Sequence, residues 1–191
     1  MCGFLTFTDV LKNEKRMRIK LVITDIDGVW TDGSVYLDDQ GNETKRFSTS
    51  DGIAVGTLAA ANIPLAIISG EGGATATLRA KELKVPYVFL GVDNKLLAAV
   101  ELCDSLGISL EEVAFIGDEI NDILLLERAG ISAVPANVPY YVRRAAKWEL
   151  SKKGGEGVFR EFVDRIFQEE EVLEYVLEAY LHPMRKIFNE R

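Results

Sequence analysis

The sequence predicts an α/β protein built on a doubly wound parallel sheet. Three observations carry that expectation: apolar runs of strand length recur along the chain, segments of helical periodicity fall between them, and residues that favour a left-handed backbone close several of those segments. The strand runs are residues 19–24, 65–69, 87–90, 113–117 and 131–134. Residues 53–61, 74–83, 95–106, 122–129 and 140–146 carry the helical pattern, and Asn62, Gly107 and Gly130 follow three of them as terminators. Alternation of this kind places helices on both faces of a parallel sheet and collects the strand ends on one edge.

One segment breaks the alternation. Residues 34–37 and 45–48 are short β-like runs around the polar turn 38–42, so a β-hairpin over about 34–48 is expected to protrude directly after the first strand. A lone hairpin is marginal in water. Val35, Tyr36, Leu37 and Phe47 make this one apolar, so packing against another subunit is expected, with docking on its own domain as the alternative. The glycine-rich stretch 154–157 reads either as a flexible arm reaching a neighbouring subunit's crevice or as the loop that starts a helix over 158–167. The tail 169–191 opens with Glu169, Glu170 and Glu171 and sets Val172, Tyr175, Val176, Ala179 and Tyr180 at helical spacing, until Pro183 should interrupt or kink it. The chain thus divides into an N-terminal extension (1–18), one α/β domain (19–168) and a helical tail (169–191), and Met17 is an alternative start.

Composition narrows the function. With 191 residues and 48% apolar content there is material for one core. A net charge of −8 argues against a nucleic-acid partner. Cys2 and Cys103 are the only cysteines and His182 the only histidine, which disfavours disulfides, cysteine zinc sites and His-based triads; any metal should be a hard cation held by oxygen. Residues 1–11 read poorly as a signal peptide and no stretch has the length of a membrane span, so a cytoplasmic location is expected.

The chemistry should lie at the strand ends. Asp25-Ile26-Asp27-Gly28 follows the first strand, Ser69-Gly70-Glu71 the second, Lys95 opens the helix after Asp93-Asn94, and Gly117-Asp118-Glu119-Ile120-Asn121-Asp122 closes the fourth strand. Asp25 can project at a ligand while Asp27 reaches it from the loop, and Gly28 lets backbone approach an anion. Taken singly, each has a plainer reading as a turn, a helix cap or a solvated lysine. Together and in order they converge on one crevice.

These four segments resemble the motifs of the haloacid dehalogenase-like phosphatase superfamily, over about residues 19–167, and most closely its small capless branch acting on 2-keto-3-deoxy sugar acid phosphates. Residues 24–33, the hairpin, Ser50-Asp51-Gly52 and residues 154–161 carry the closer likeness. The resemblance implies a Rossmann-type fold without a cap domain and a Mg2+-dependent phosphatase working through an aspartyl phosphate. Asp25 would be the nucleophile, Asp27 the general acid and base, and Ser69 and Lys95 the phosphoryl grip. Mg2+ would be held by Asp25, the backbone carbonyl of Asp27 and Asp118, with Asn121 and Asp122 in support.

For the sugar acid, Gly28, Gly70, Glu71, Arg79 and Lys81 are the candidate contacts, Arg79 by pairing a carboxylate. With no room in the chain for a cap, a partner subunit would have to close the crevice, and the resemblance implies a homotetramer with shared active sites. The implied substrate is 3-deoxy-D-manno-octulosonate 8-phosphate, on the route to lipopolysaccharide. Gly70-Glu71 also resembles the branch acting on 2-keto-3-deoxy-D-glycero-D-galacto-nononate 9-phosphate. A non-catalytic binding subunit of the same fold is the alternative of a different class; the intact motif set argues against it.

Overall fold

The computed structural model describes residues 17–189; the expectations about the N-terminal extension and start site lie largely outside them. The strands are β1 (Leu21–Thr24), the hairpin strands β2 (Tyr36–Leu37) and β3 (Glu43–Thr44), then β4 (Leu65–Ser69), β5 (Tyr87–Leu90), β6 (Val113–Ile116), β7 (Ile131–Val134) and β8 (Trp148–Glu149). The helices are α1 (Thr49–Ala60), α2 (Ala74–Glu82), α3 (Lys95–Leu106), α4 (Ile123–Leu126), α5 (Tyr140–Arg143), α6 (Val158–Glu169) and α7 (Leu173–Asn189). Six strands form one sheet in the order β5-β4-β1-β6-β7-β8, all pairs parallel. The chain winds outward in one direction from β1 and in the other from β6, so the switch point lies between them.

Strand β1 is central and buried along its whole length, which is why its sequence is an unbroken apolar run. Its residues still alternate. Leu21 and Ile23 join Val113, Phe115, Ala99, Leu102, Cys103 and Leu125 on one face, while Val22 joins Ala114, Ile116, Leu58 and Phe162 on the other. Helix α6 seals that second face with Val158, Phe159, Phe162, Val163, Ile166 and Phe167, all buried. Each such side chain contributes roughly 1.5–3 kcal/mol relative to exposure. The Trp30 and Phe159 rings stack 5.2 Å apart, tying α6 to the loop that leaves β1.

Asp51 on α1 caps this helix from outside, accepting from the Arg160 amide at 3.0 Å through Oδ1. Its Oδ2 is buried without a hydrogen-bond partner among the described residues. Burial outweighs the Arg160 amide, Lys152 and Arg79 and lifts its pKa from 3.8 to about 6. A folded value above the unfolded one means that stability is full at low pH and is lost as pH rises through that interval, by on the order of 3 kcal/mol. Asp51→Asn, which keeps an oxygen for Arg160, should therefore be more stable than the parent in urea titrations at neutral pH and equal to it below the unfolded carboxylate value.

Several details differ from the sequence reading, among them the two short helices: α4 stops at Leu126 and α5 at Arg143, each three residues before the expected end. Strand β8 was not anticipated: it is an edge strand of two residues with no apolar run to announce it. The hairpin closes earlier than expected, pairing Tyr36 with Thr44 and Leu37 with Glu43 rather than returning at 45–48. Asp38 fixes this tight register by accepting from the Gln40 and Asn42 amides. Helix α1 begins at Thr49, capped by Ser48, earlier than its apolar periodicity. Pro183 lies inside α7, in a stretch whose residues 181–187 are all exposed. Helix α7 docks on α1, with Val176 buried and the Tyr180 ring over Gly56. No helix among the described residues is long and apolar enough to cross a membrane.

Candidate active site

The site begins where β1 runs out. The Ile26 carbonyl accepts from the amides of Val29, Trp30 and Thr31, so the chain coils tightly just beyond Asp25 and presents both aspartates at the sheet edge. Trp30 Nε1 donates to Thr24 Oγ1 at 3.1 Å and anchors the turn to the strand. Gly28 has φ +78°, and a Cβ there would lie 1.8 Å from Asp118 Oδ2. Only glycine allows the loops after β1 and β6 to meet this closely.

Lys95 lies beneath the crevice floor, fully buried. Its ammonium donates to Asp25 Oδ2 at 2.6 Å and to Asp122 Oδ1 at 2.7 Å. Burial disfavours its charge, but Asp25 and Asp122 outweigh that and raise its pKa. The other Asp122 oxygen accepts from the amides of Asp118 and Glu119, at 2.9 and 3.1 Å. Asp122 therefore holds the loop after β6 in shape and has little left to offer a ligand. Burial is also the leading cause that lifts Asp25 to about 6, against Lys95 and with Asp122. Asp118 rises to about 8, through burial and then the neighbouring Asp25 and Asp122 charges.

Asp118 Oδ1 is buried with no hydrogen-bond partner among the described residues. Oxygens of Asp25, Asp118 and Asp122 lie within 4.8 Å of one another. An orphaned carboxylate oxygen in an all-oxygen cluster fits a divalent cation, whose charge would hold Asp25 and Asp118 ionised together.

Above this cluster opens a crevice of about 510 Å3. It brings together Asp25, Asp27, Gly28, Ser69, Gly70, Glu71, Asp118 and Asn121, as the strand ends predict. Asn121 faces Gly70 closely across the cleft: a Cβ on Gly70 would be 3.0 Å from its Nδ2. Asp93 and Glu119 add two carboxylates to the rim that sequence reasoning did not single out.

Arg79 and Lys81 are not brought to the crevice, a correction to their place among the substrate contacts of their own subunit. Both sit well along α2 as it leaves the cleft. Arg79 turns to Glu82 and the Ser48 carbonyl, over the Phe47 ring, and lines a separate hollow of about 330 Å3. Lys81 is exposed and lines neither.

Two further groups support the site. Lys45, just after β3, places its ammonium 2.9 Å from Asp27, and its side chain is 2% exposed. Burial works against this charge, but Asp27, Glu43 and Glu71 outweigh it and raise its pKa. Gly154 and Gly155 are buried under the loop after β1: a Cβ on Gly154 would lie 2.0 Å from the Gly28 carbonyl oxygen, and the Gly155 amide donates to Val29 at 3.0 Å. That stretch is a packed platform leading into α6. A paired glycine ahead of a helix was the only sequence signal for it.

Comparison with known proteins agrees with this geometry. The model of the haloacid dehalogenase-like hydrolase family matches residues 88–162. The chain is 37% identical over 155 residues to the 3-deoxy-D-manno-octulosonate 8-phosphate phosphatase KdsC of Haemophilus influenzae, spanning 81% of this chain and 86% of that one. It superposes with a TM-score of 0.82 on the phosphatase of that name from Moraxella catarrhalis, crystallised with magnesium, phosphate and KDO, at 32% identity over 92% of this chain and 99% of the other. The cobalt-bound deoxy-D-mannose-octulosonate 8-phosphate phosphatase of Haemophilus influenzae gives 0.78 at 36% identity, over 83% and 93%. Identity of 37% over four-fifths of the chain, with superposition on solved phosphatases over as much as 92% of it, leaves one assignment: the chain belongs to the haloacid dehalogenase-like hydrolases, in the family of the 3-deoxy-D-manno-octulosonate 8-phosphate phosphatases.

Proposed function

We propose that this protein hydrolyses the phosphate monoester of a 2-keto-3-deoxy sugar acid, 3-deoxy-D-manno-octulosonate 8-phosphate, with Mg2+ as its cation. The observation that carries the reading is Asp25 itself: a carboxylate at a strand end, held by Lys95, next to the orphaned Asp118 oxygen and open to the crevice.

On this reading an Asp25 oxygen attacks phosphorus while the bond from phosphorus to the sugar oxygen breaks and Asp27 delivers a proton to that oxygen. The sugar acid leaves and Asp25 carries the phosphoryl group. Asp27 then takes a proton from water as the water attacks the same phosphorus, releasing phosphate and restoring both carboxyls. Ser69 and Lys95 hold the phosphoryl oxygens, and Lys95 also favours the ionised form of Asp25 against its burial. Asp25, the Asp27 carbonyl and Asp118 would hold Mg2+, with Asp122 fixing Asp118 and Asn121 at the rim. Bound there, the cation offsets the repulsion between Asp25 and a phosphate dianion. The acidic rim makes that offset necessary, since Glu71, Asp93 and Glu119 all face an anionic substrate.

The nine-carbon 2-keto-3-deoxy-nononate 9-phosphate is the second reading, favoured by Glu71. Its side chain is 68% exposed at the mouth, an acceptor suited to the extra hydroxyl of a longer chain. We place the enzyme in the cytoplasm, and as a homotetramer; the hairpin supports the subunit contact, since Val35, Tyr36 and Leu37 are 44%, 60% and 70% exposed although apolar.

Phosphate release from both ulosonic acid esters and a panel of simple sugar phosphates tests the reading. The eight-carbon ester should be preferred, turnover should cease in excess chelator, and added Mg2+ should restore it. Full activity in chelator, or no preference for either ulosonic ester, would overturn it.

A further inference from the structure

Lys45 is buried among three carboxylates, Asp27, Glu43 and Glu71, none of which belongs to the acidic cluster. Its ammonium lies 2.9 Å from each Asp27 oxygen, 3.5 Å from Glu71 and 3.7 Å from Glu43. Glu43 in turn accepts from Thr75 Oγ1 at 2.6 Å. One cation thus joins the hairpin, the loop after β1 and the loop after β4 at the head of α2. Contact with both oxygens fixes the plane of the Asp27 carboxyl, and Thr31 Oγ1 adds only a 3.3 Å hydrogen bond. The carboxylates that converge are Asp25, Asp118 and Asp122; that of Asp27 stands outside the group. Freed from Lys45, it could rotate toward the cation and join it as a further ligand, leaving the sugar oxygen without its proton donor.

We propose that Lys45 is the positioning residue for Asp27: it holds the proton-transfer carboxyl off the metal and on the leaving-group side, and in doing so makes the foot of the hairpin part of the active site. This rests on the reading of Asp27 given above. Its ammonium is already taken up by Asp27, Glu71 and Glu43 and the residue does not line the crevice, so its effect passes through Asp27 and falls on kcat. Misplacing a reacting group by about an ångström costs on the order of 100-fold.

The test is a double-substitution cycle on the intact protein with Mg2+, reading kcat and KM separately. Lys45→Met should lower kcat by about 100-fold with KM little changed, and Lys45→Arg should recover part of that loss. Combined with Asp27→Asn, Lys45→Met should add no further loss beyond about twofold. Lys45→Gln serves as a second variant, with melting curves run on each. Parental kcat in Lys45→Met, or a loss that multiplies in full on the Asp27→Asn background, would overturn the proposal. Parental activity in Asp27→Asn alone would overturn the reading of Asp27 and the proposal with it, which separates the two failures.

Discussion

Asp25→Asn is expected to lose at least about ten-thousand-fold in turnover while keeping its fold. A carboxamide oxygen does not attack phosphorus, and no other carboxylate at the crevice is placed as Asp25 is, on the strand end and paired to a buried lysine. The fold should survive because the bonds around residue 25 survive. An Asn oxygen can still accept from the Ile26 amide, which lies 2.7 Å from Asp25 Oδ1, and Lys95 keeps Asp122. Phosphate release at saturating Mg2+, with thermal melting as the control, reads both effects. Retained turnover would exclude Asp25 as nucleophile.

Lys95→Met should damage stability as well as activity. The lysine is wholly buried between Asp25 and Asp122, and removing it leaves two inner carboxylates facing each other without a counter-charge. Breaking a buried ion pair from one side costs roughly 3–5 kcal/mol. Asp122 also fixes the Asp118 and Glu119 amides, so disturbance there reaches the loop that would hold the cation. Mg2+ supplies positive charge at the same place, so the loss in urea unfolding should be larger without Mg2+ than with it. An unfolding midpoint equal to the parent in both conditions would contradict this account of the cluster.

The sheet was legible because burial leaves a simple mark. Strands covered on both faces become short apolar runs, and five such runs delimited five of the six strands of the sheet to within two residues at each end. The strand ends were legible because chemistry at a parallel sheet collects at one edge, so Asp25, Ser69 and Asp118 could be brought together without coordinates. What escaped depends on direction in space. Lys45 sits in a polar stretch where nothing in the sequence says whether a side chain turns outward or toward Asp27. Arg79 and Lys81 show the opposite case: a helix leaving the crevice carries its later residues away from their own subunit's site, and the distance from Ser69 along the chain does not reveal that. Strand β8 is too short for periodicity. The close approach of Gly154 to Gly28 links backbone segments more than a hundred residues apart, beyond any local pattern.

An acyl phosphate on Asp25 is the one species that follows from nucleophilic attack by this residue and from no alternative role for it. Quenching the Mg2+-loaded enzyme during turnover of the octulosonate ester and reducing it with borohydride converts a phosphorylated aspartate to homoserine, which peptide mass spectrometry locates. The account predicts homoserine at position 25, dependent on substrate and absent from Asp25→Asn. Reduction at another carboxylate, or an unmodified Asp25 in an enzyme caught at full turnover with its phosphoryl group on a different residue, would contradict it.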